Sequence, residues 1–270
     1  TRPIYGPAYA HERRLDRATT TRVAGLATNS RYTASEIKRI YGRDATVVTM
    51  GVPEALLDRP VPARSGKFIL SVGALVATKG HELVLRTAAA AAGHEEVVIV
   101  APRPDRHEEA RLQALAGRLR VTLSVRTGIS DAELADLYAT AHATLYLARR
   151  EPLGLVSLEA QACGCPVLVA DEGGLPETVV DGTTGWRIPR TPDAAAAKLA
   201  LLDDVATRTG MSAAAREHAR RFTWQASGAQ IQRLLAELKP RMPEHHRTPR
   251  PTTRPTAASR CCTGPTRAGR

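Results

Sequence analysis

Two acids eight positions apart, Glu151 and Glu159, bracket the stretch Glu151-Pro152-Leu153-Gly154-Leu155-Val156-Ser157-Leu158-Glu159. Proline is tolerated at a helix start but not inside one, and from about Gly154 to Gly164 the residues are good helix formers. The pattern predicts a loop, a short helix and a stop. Pro166 bars continuation before the apolar run Val167-Leu168-Val169-Ala170, which reads as a buried strand. Glu151 then precedes the helix and Glu159 lies one to two turns inside it, roughly 10 Å away at a rise of about 1.5 Å per residue. The two carboxyls of a retaining glycosidase stand only about 5 Å apart across one bond, so this pair is better suited to holding two ends of an elongated ligand. Between the acids, the amides near Gly154, Leu155 and Val156 face the positive end of the helix dipole, where phosphate is favoured. Carboxylates accept from sugar or ribose hydroxyls, so sugar, diphosphate and ribose in line is the ligand order this spacing fits.

The elements that must position these residues follow a regular alternation. Strands are expected at 67–72, 97–101, 121–125, 143–147, 166–170 and 185–188, and helical stretches at 81–92, 107–119, 131–141, 154–163 and 175–180. Ser130-Asp131-Ala132-Glu133 is a capping box, and Thr191-Pro192-Asp193 opens a further helix with proline at its first position. Strands and helices alternating through short connections imply right-handed crossovers and a parallel sheet. The fold class is therefore α/β, a Rossmann-like parallel sheet flanked by helices, over 67–238. In such sheets ligands collect outside the carboxyl ends of the strands. Gly73 and Lys79 follow the first strand, where glycine lets backbone approach a ligand and lysine offers a cation. Gly128-Ile129-Ser130 follows the third. Gly173-Gly174-Leu175-Pro176-Glu177 reads equally as a structural turn or as part of the site.

Residues 1–52 begin in mid-architecture, with a short strand at 23–28, a capping-box helix starting at Thr33 and running to Tyr41, and a strand at 46–49. They lack the partners needed to bury them. Pro53, Pro60 and Pro62 mark 53–66 as a linker. The stretch from Trp224 to Leu238, apolar at Trp224, Ile231, Leu234, Leu235 and Leu238, reads as a closing amphipathic helix.

The Glu-x7-Glu stretch, with Pro-x-Gly after the first acid and Cys163-Gly164-Cys165-Pro166-Val167 behind it, resembles the signature of the retaining glycosyltransferases of the two-domain GT-B fold, family 4, the group 1 glycosyl transferases. The resemblance covers roughly residues 10–238. It implies that Glu151 contacts the donor sugar, that the backbone from Leu153 to Val156 contacts the diphosphate, and that Glu159 binds the ribose hydroxyls. It also implies that Lys79 neutralises the departing diphosphate and that the base rests near Ile129. Leu153 replaces the usual Phe, and Ala74 replaces an Arg, a charge for which Arg149 or Arg150 could substitute. Met50 and Pro53 stand where Asn and Asp are commoner, and Pro102-Arg103-Pro104-Asp105 replaces a glycine-rich turn. By the same resemblance, 1–52 is the remnant of an N-terminal acceptor-side domain whose catalytic-site histidine has no counterpart here. His11, His81, His94 and His107 each read as surface histidines.

The implied activity is transfer of a hexose from a nucleoside-diphosphate sugar to an acceptor hydroxyl with retention, incomplete in a chain lacking most of the acceptor half. No cofactor is expected beyond the nucleotide sugar, and no Asp-x-Asp metal motif is needed. Three alternatives remain open: a GT-B-fold epimerase, a sugar phosphorylase, and a non-catalytic nucleotide-binding remnant.

Composition narrows the setting. The net charge is +11 over 270 residues, of which the segment 239–270 carries +7, with eight Lys or Arg against Glu244. Its six prolines and few large apolar residues predict a disordered basic tail. Such a tail offers contact with an acidic membrane, whereas nucleic-acid binding is disfavoured because no aromatic residue is there to stack on a base. The same Arg/Pro/Thr/Ala content is what an out-of-frame reading of GC-rich DNA would give. No signal peptide and no run approaching the roughly 18 apolar residues of a membrane span is visible. Cys163, Cys165, Cys261 and Cys262 form two close pairs without the spacing of a zinc module. The expectation is a soluble cytoplasmic protein, with the inner face of the membrane as its place of peripheral contact. Its partners would be a nucleotide sugar and a carbohydrate or lipid acceptor.

Overall fold

A computed structural model describes residues 6–59, 67–94 and 96–238. Half of the expected linker, 60–66, and the whole basic tail, 239–270, with Cys261 and Cys262, lie outside the described residues. The chain opens with helix α1 (Gly6–Arg22), strand β1 (Ala27–Thr28), helix α2 (Arg31–Tyr41), strand β2 (Thr46–Val47) and the single helical turn α3 (Glu54–Leu57). The regular alternation follows: β3 (Ile69–Val72), α4 (His81–Ala90), β4 (Glu96–Ala101), α5 (Arg106–Leu119), β5 (Thr122–Thr127) and α6 (Asp131–Thr140). It continues through β6 (Ala143–Tyr146), α7 (Leu155–Ala162), β7 (Val167–Ala170) and β8 (Gly185–Ile188) to α8 (Pro192–Leu201), α9 (Val205–Ala219) and α10 (Trp224–Leu238).

The last six strands form one parallel sheet in the order β5-β4-β3-β6-β7-β8. Its central strands β4, β3, β6 and β7 are buried on both faces, as their apolar runs demand, while the edge strand β5 is partly exposed. Ile69, Val97, Ile99, Leu145 and Leu168 point to the face covered by Leu85, Leu112 and Leu199 of α4, α5 and α8. Their neighbours Leu70, Val98, Val100, Val167 and Val169 point the other way, against Tyr138 and Ala160 of α6 and α7. Each such leucine or valine contributes on the order of 1.5–3 kcal/mol when removed from water. Strand order reverses between β3 and β6, so a crevice opens there at the carboxyl ends, between the loop after β3 and the loop after β6.

The N-terminal piece is separate in its hydrogen bonding: β1 and β2 make their own two-stranded parallel ladder. It is tied to the larger unit through α10. Val52 donates to the Phe222 carbonyl at 3.0 Å, Thr49 donates to Gln230 Oε1 at 2.9 Å, and Ser227 donates to the Thr49 carbonyl. Among the described residues no helix is long and apolar enough to cross a membrane.

Five local expectations need revision. Helix α1 has no counterpart in the sequence reading, because its side chains from residue 10 onward are nearly all exposed and supply no apolar stripe. Helix α2 is capped by Ser30 rather than Thr33: the Ser30 hydroxyl accepts from the Thr33 amide, while Glu36 pairs with Arg39 instead of closing a box. Within the Pro-rich 53–66, residues 54–57 are helical and Leu57 is buried against Leu158 and Ala162. The expected helix at 175–180 is a 3-10 turn at Leu175–Thr178, closed by the Thr178 hydroxyl on the Leu175 carbonyl and followed by extended Val179. Finally, His81 and His94 are buried, not surface residues; only His11 and His107 are exposed. The Ser130–Glu133 capping box and proline at the start of α8 are both present.

Candidate functional site

The crevice at the strand reversal brings together three side chains from two loops. Lys79 Nζ lies 2.8 Å from Glu151 Oε2 and 3.0 Å from the Tyr146 hydroxyl at the end of β6. Gly73, at φ +155°, lets the lysine stem lie along the backbone, because a Cβ there would stand 3.3 Å from Lys79 Cγ. The loops are fastened to each other: the Arg149 amide donates to the Thr78 carbonyl at 2.7 Å, and Gly80 presses so closely on Leu147 that a Cβ would sit 2.2 Å from its carbonyl oxygen. Burial pushes the Lys79 ammonium down, but its hydrogen bonds to Glu151 and then Tyr146 outweigh this, and the net shift is upward. Burial above all pushes the Tyr146 phenol up to about 12, so it remains protonated at neutral pH.

The helix start expected between the two acids is present. Gly154, at φ +100°, turns the chain into α7, and the Leu155 and Val156 amides of its first turn have no acceptor among the described residues. Gly154 and Leu153 are themselves buried. The Glu151–Leu153 segment is held from behind by the glycine pair: Gly174 donates to the Glu151 carbonyl at 2.7 Å, and a Cβ on Gly174 would stand 2.0 Å from the Pro152 oxygen. The Gly173-Gly174 turn is thus a structural support of the loop that carries Glu151. In front, the Ser30 hydroxyl of the N-terminal piece donates to the Pro152 carbonyl at 2.5 Å. Glu177 accepts from the Arg31 and Tyr32 amides at 2.9 and 2.8 Å, so its carboxylate caps α2.

Glu159 faces a neighbouring cavity of about 300 Å3, bounded by Tyr138, Asp131, Leu56 and Arg59. Its Oε2 accepts from the Tyr138 hydroxyl at 3.1 Å. Burial raises the Glu159 carboxyl, with the Tyr138 hydrogen bond opposing and the Asp131 charge adding to the rise. Glu151 does not line this cavity. The two acids therefore do not share this cavity. Ile129 is half-buried and packs on the α6–α7 face of the core.

The arginines do not gather where the missing charge at position 74 would be. Arg150 extends towards Glu36, 3.6 Å away, and Arg149 lines a different cavity of about 480 Å3 with Arg86 and Arg190. The Ala74 carbonyl instead faces His81 Nε2 at 3.1 Å. Sequence reasoning missed Tyr146 and Tyr138, and named Glu177 only as the end of the Gly173-Gly174 turn, without its α2 partner. Tyr146 had a signal, since it ends a strand at the carboxyl edge of the sheet; Tyr138 and Glu177 find their partners only through folding.

Comparison with known proteins places this geometry in context. The family model described as Glycosyl transferases group 1 matches residues 57–218. Among curated relatives, D-inositol 3-phosphate glycosyltransferase of Thermobispora bispora is 31% identical over 83% of this chain and 57% of its own length. D-inositol 3-phosphate glycosyltransferase 2 of Catenulispora acidiphila is 34% identical over 76% of this chain and 54% of its own. The chain therefore spans little more than half the length of these relatives. Among solved structures, sucrose-phosphate synthase from Thermosynechococcus elongatus superposes with a TM-score of 0.75 at 23% identity, over 86% of this chain and 63% of that one. Anabaena Alr3699/HepE in complex with UDP-glucose gives 0.74 at 19% identity, over 86% and 70%. At that level of identity the likeness is one of fold.

Proposed function

Because the chain belongs to the glycosyl transferases of group 1, we propose that its strand-reversal crevice holds the diphosphate of a nucleotide sugar, as part of a retaining hexosyltransferase. The observation that carries this reading is the convergence of the Lys79 ammonium, the Glu151 carboxylate and the open amides of Leu155 and Val156 at one sheet edge. The cation and amides supply donors for phosphate oxygens, and the carboxylate supplies an acceptor for sugar hydroxyls. Glu159, at the neighbouring cavity, accepts from ribose hydroxyls in this reading, and the base lies towards Ile129.

In the reaction, the bond from the sugar C1 to the diphosphate oxygen breaks and a bond from C1 to the acceptor oxygen forms on the same face. The acceptor proton moves to the departing phosphate. Negative charge grows on that phosphate, and a preorganised cation with amide donors stabilises it by several kcal/mol, an electrostatic role of the kind that dominates many active sites. Lys79 and the α7 amides take on the work a bound cation does elsewhere, so no cofactor beyond the donor is invoked. The naming of both relatives as D-inositol 3-phosphate glycosyltransferases supports a hydroxyl on a small polyol as acceptor. In this reading most of the acceptor half lies outside this chain, so turnover by this chain alone is expected to be low.

Thermal stabilisation by a panel of nucleoside diphosphates and their hexose derivatives tests the proposal, since a ligand bound only by the folded state raises Tm. At least one sugar nucleotide should raise Tm in the native chain and much less in Lys79→Gln. A panel with no stabilising member would overturn it.

A further inference from the structure

At the opposite edge of the sheet from the crevice, two histidines precede adjacent segments of the core. His94 stands just ahead of β4 and His142 just ahead of β6, the two strands that flank β3. Their side chains are each only 6% exposed, and the rings lie tilted against each other with centroids 4.3 Å apart. Asp203, in the turn between α8 and α9, approaches both: its Oδ1 lies 3.1 Å from His94 Nε2 and 3.6 Å from His142 Nε2.

This cluster is poorly explained as core packing. The His94 Nε2 contact does not have hydrogen-bond geometry, and both ring nitrogens of His94 and Nε2 of His142 are buried without a hydrogen-bond partner. A buried polar group left unmatched costs on the order of 1–3 kcal/mol, and such groups in folded proteins are nearly always matched by protein, water or an ion. Hydrophobic residues would fill the same space without that cost.

We propose that His94, His142 and Asp203 form a binding site for a divalent transition-metal ion, with zinc the best fit, that fastens the α8–α9 turn to the start of the sheet. The donor set is right: imidazole suits zinc, and two imidazoles with one carboxylate make three of its four positions. The fourth position falls to water, which reaches the site past Asp203, whose side chain is 57% exposed. The spacing is close to what ligation needs. All three ligand atoms lie within 4.8 Å of one another, and a tetrahedral ion about 2.1 Å from each sets separations of roughly 3.4 Å, which the Asp203 contacts of 3.1 and 3.6 Å already approach. Tilting the two imidazole rings against each other closes the remaining gap between the histidines. The outer environment also fits, because the His142 ring lies against the Leu199 backbone while Nε2 faces the cluster. A backbone carbonyl orienting the second nitrogen is the usual support of a ligating histidine. The site lies away from the strand ends where the crevice opens, so its role is in stability.

The test uses the full chain, stripped by a chelator and titrated with zinc chloride alone. One zinc per chain by elemental analysis and a Tm rise of several degrees are expected. Asp203→Ala removes an exposed side chain, so it should fold with nearly the same metal-free Tm and lose most of the zinc-dependent rise. His142→Phe, which fills the space with an apolar ring, should lose it entirely. The tail sequence holds His245, His246, Cys261 and Cys262, so a quadruple variant of these four to Ala or Ser is made in parallel and should keep the rise. Cobalt in place of zinc should give tetrahedral bands without a thiolate charge-transfer band. Absence of stoichiometric zinc, or a rise that survives Asp203→Ala and His142→Phe but vanishes in the tail variant, would overturn the proposal.

Discussion

Lys79 Nζ and Glu151 Oε2, 72 positions apart in sequence, stand 2.8 Å apart at the point where the strand order reverses. The pair fixes the ammonium at the mouth of the crevice, yet its carboxylate competes with any anion for the same charge. Two opposite outcomes follow from one contact. Lys79→Gln removes charge-assisted bonds of about 1.5–3 kcal/mol and should weaken a nucleoside diphosphate by roughly 10–100-fold. Glu151→Gln removes the competitor and should leave diphosphate affinity equal or several-fold tighter, while the preference for the sugar-bearing nucleotide is lost. Calorimetry with both ligands on both variants separates the roles; equal weakening of the diphosphate by the two changes would dismiss the competition.

The glycine pair behind the loop makes a stability prediction with its own control. A Cβ on Gly174 would meet the Pro152 oxygen at 2.0 Å, a backbone atom that cannot swing away. Gly174→Ala should therefore destabilise the chain by about 2 kcal/mol or more, in the range of overpacking at a rigid site. Gly210 lies inside α9 with nothing within 4 Å of its added Cβ, so Gly210→Ala should stabilise by about 0.5–1 kcal/mol. Urea midpoints of the two variants should move in opposite directions.

The central strands were readable because they are buried on both faces and so carry apolar runs, most plainly Val97 to Val100. The α7 start was readable because Pro152, Gly154 and Gly164 punctuate a short segment. What could not be read is any contact made by the order of the strands. Lys79 reaches Tyr146 only because β3 and β6 are neighbours, and His94 meets His142 because β4 and β6 flank β3. Likewise, Arg149 and Arg150 look interchangeable in sequence, but positive φ at Arg150 turns its side chain towards Glu36 while Arg149 lines another cavity.

Glu159 offers a trade between stability and binding. Its carboxyl is raised by burial, so the folded state holds a proton more readily than the unfolded chain. Stability from that difference is complete below the unfolded value near 4.5 and is lost as pH rises through the higher folded value. Glu159→Gln keeps an acceptor for Tyr138 and removes the charge. It should raise stability at pH 7 by about 0.5–1 kcal/mol, in line with other relief of strained functional positions, and weaken nucleoside diphosphate binding. Denaturation and calorimetry on one preparation decide it; an unchanged affinity would remove Glu159 from the site.

The pH response should come partly from His81. It begins α4 beside Lys79, its Nε2 faces the Ala74 carbonyl and its Nδ1 lies 3.0 Å from the Ser71 hydroxyl, which places the ring in the support of the β3 loop. Burial holds its pKa below the ordinary 6.5, and the nearby Lys79 charge acts in the same direction against hydrogen bonds that oppose it. The unfolded chain therefore takes up a proton that the folded one resists. The sign is that of a lowered histidine: stability is full above about pH 6.5 and falls as pH drops from there towards the folded value. His218, also held down by burial, adds to the slope. Urea unfolding at pH 7.5, 6.5 and 5.5 should show this loss, and His81→Gln, less stable at pH 7.5, should lose less on acidification than the native chain. A variant whose slope with pH matches the native one would place the titration elsewhere.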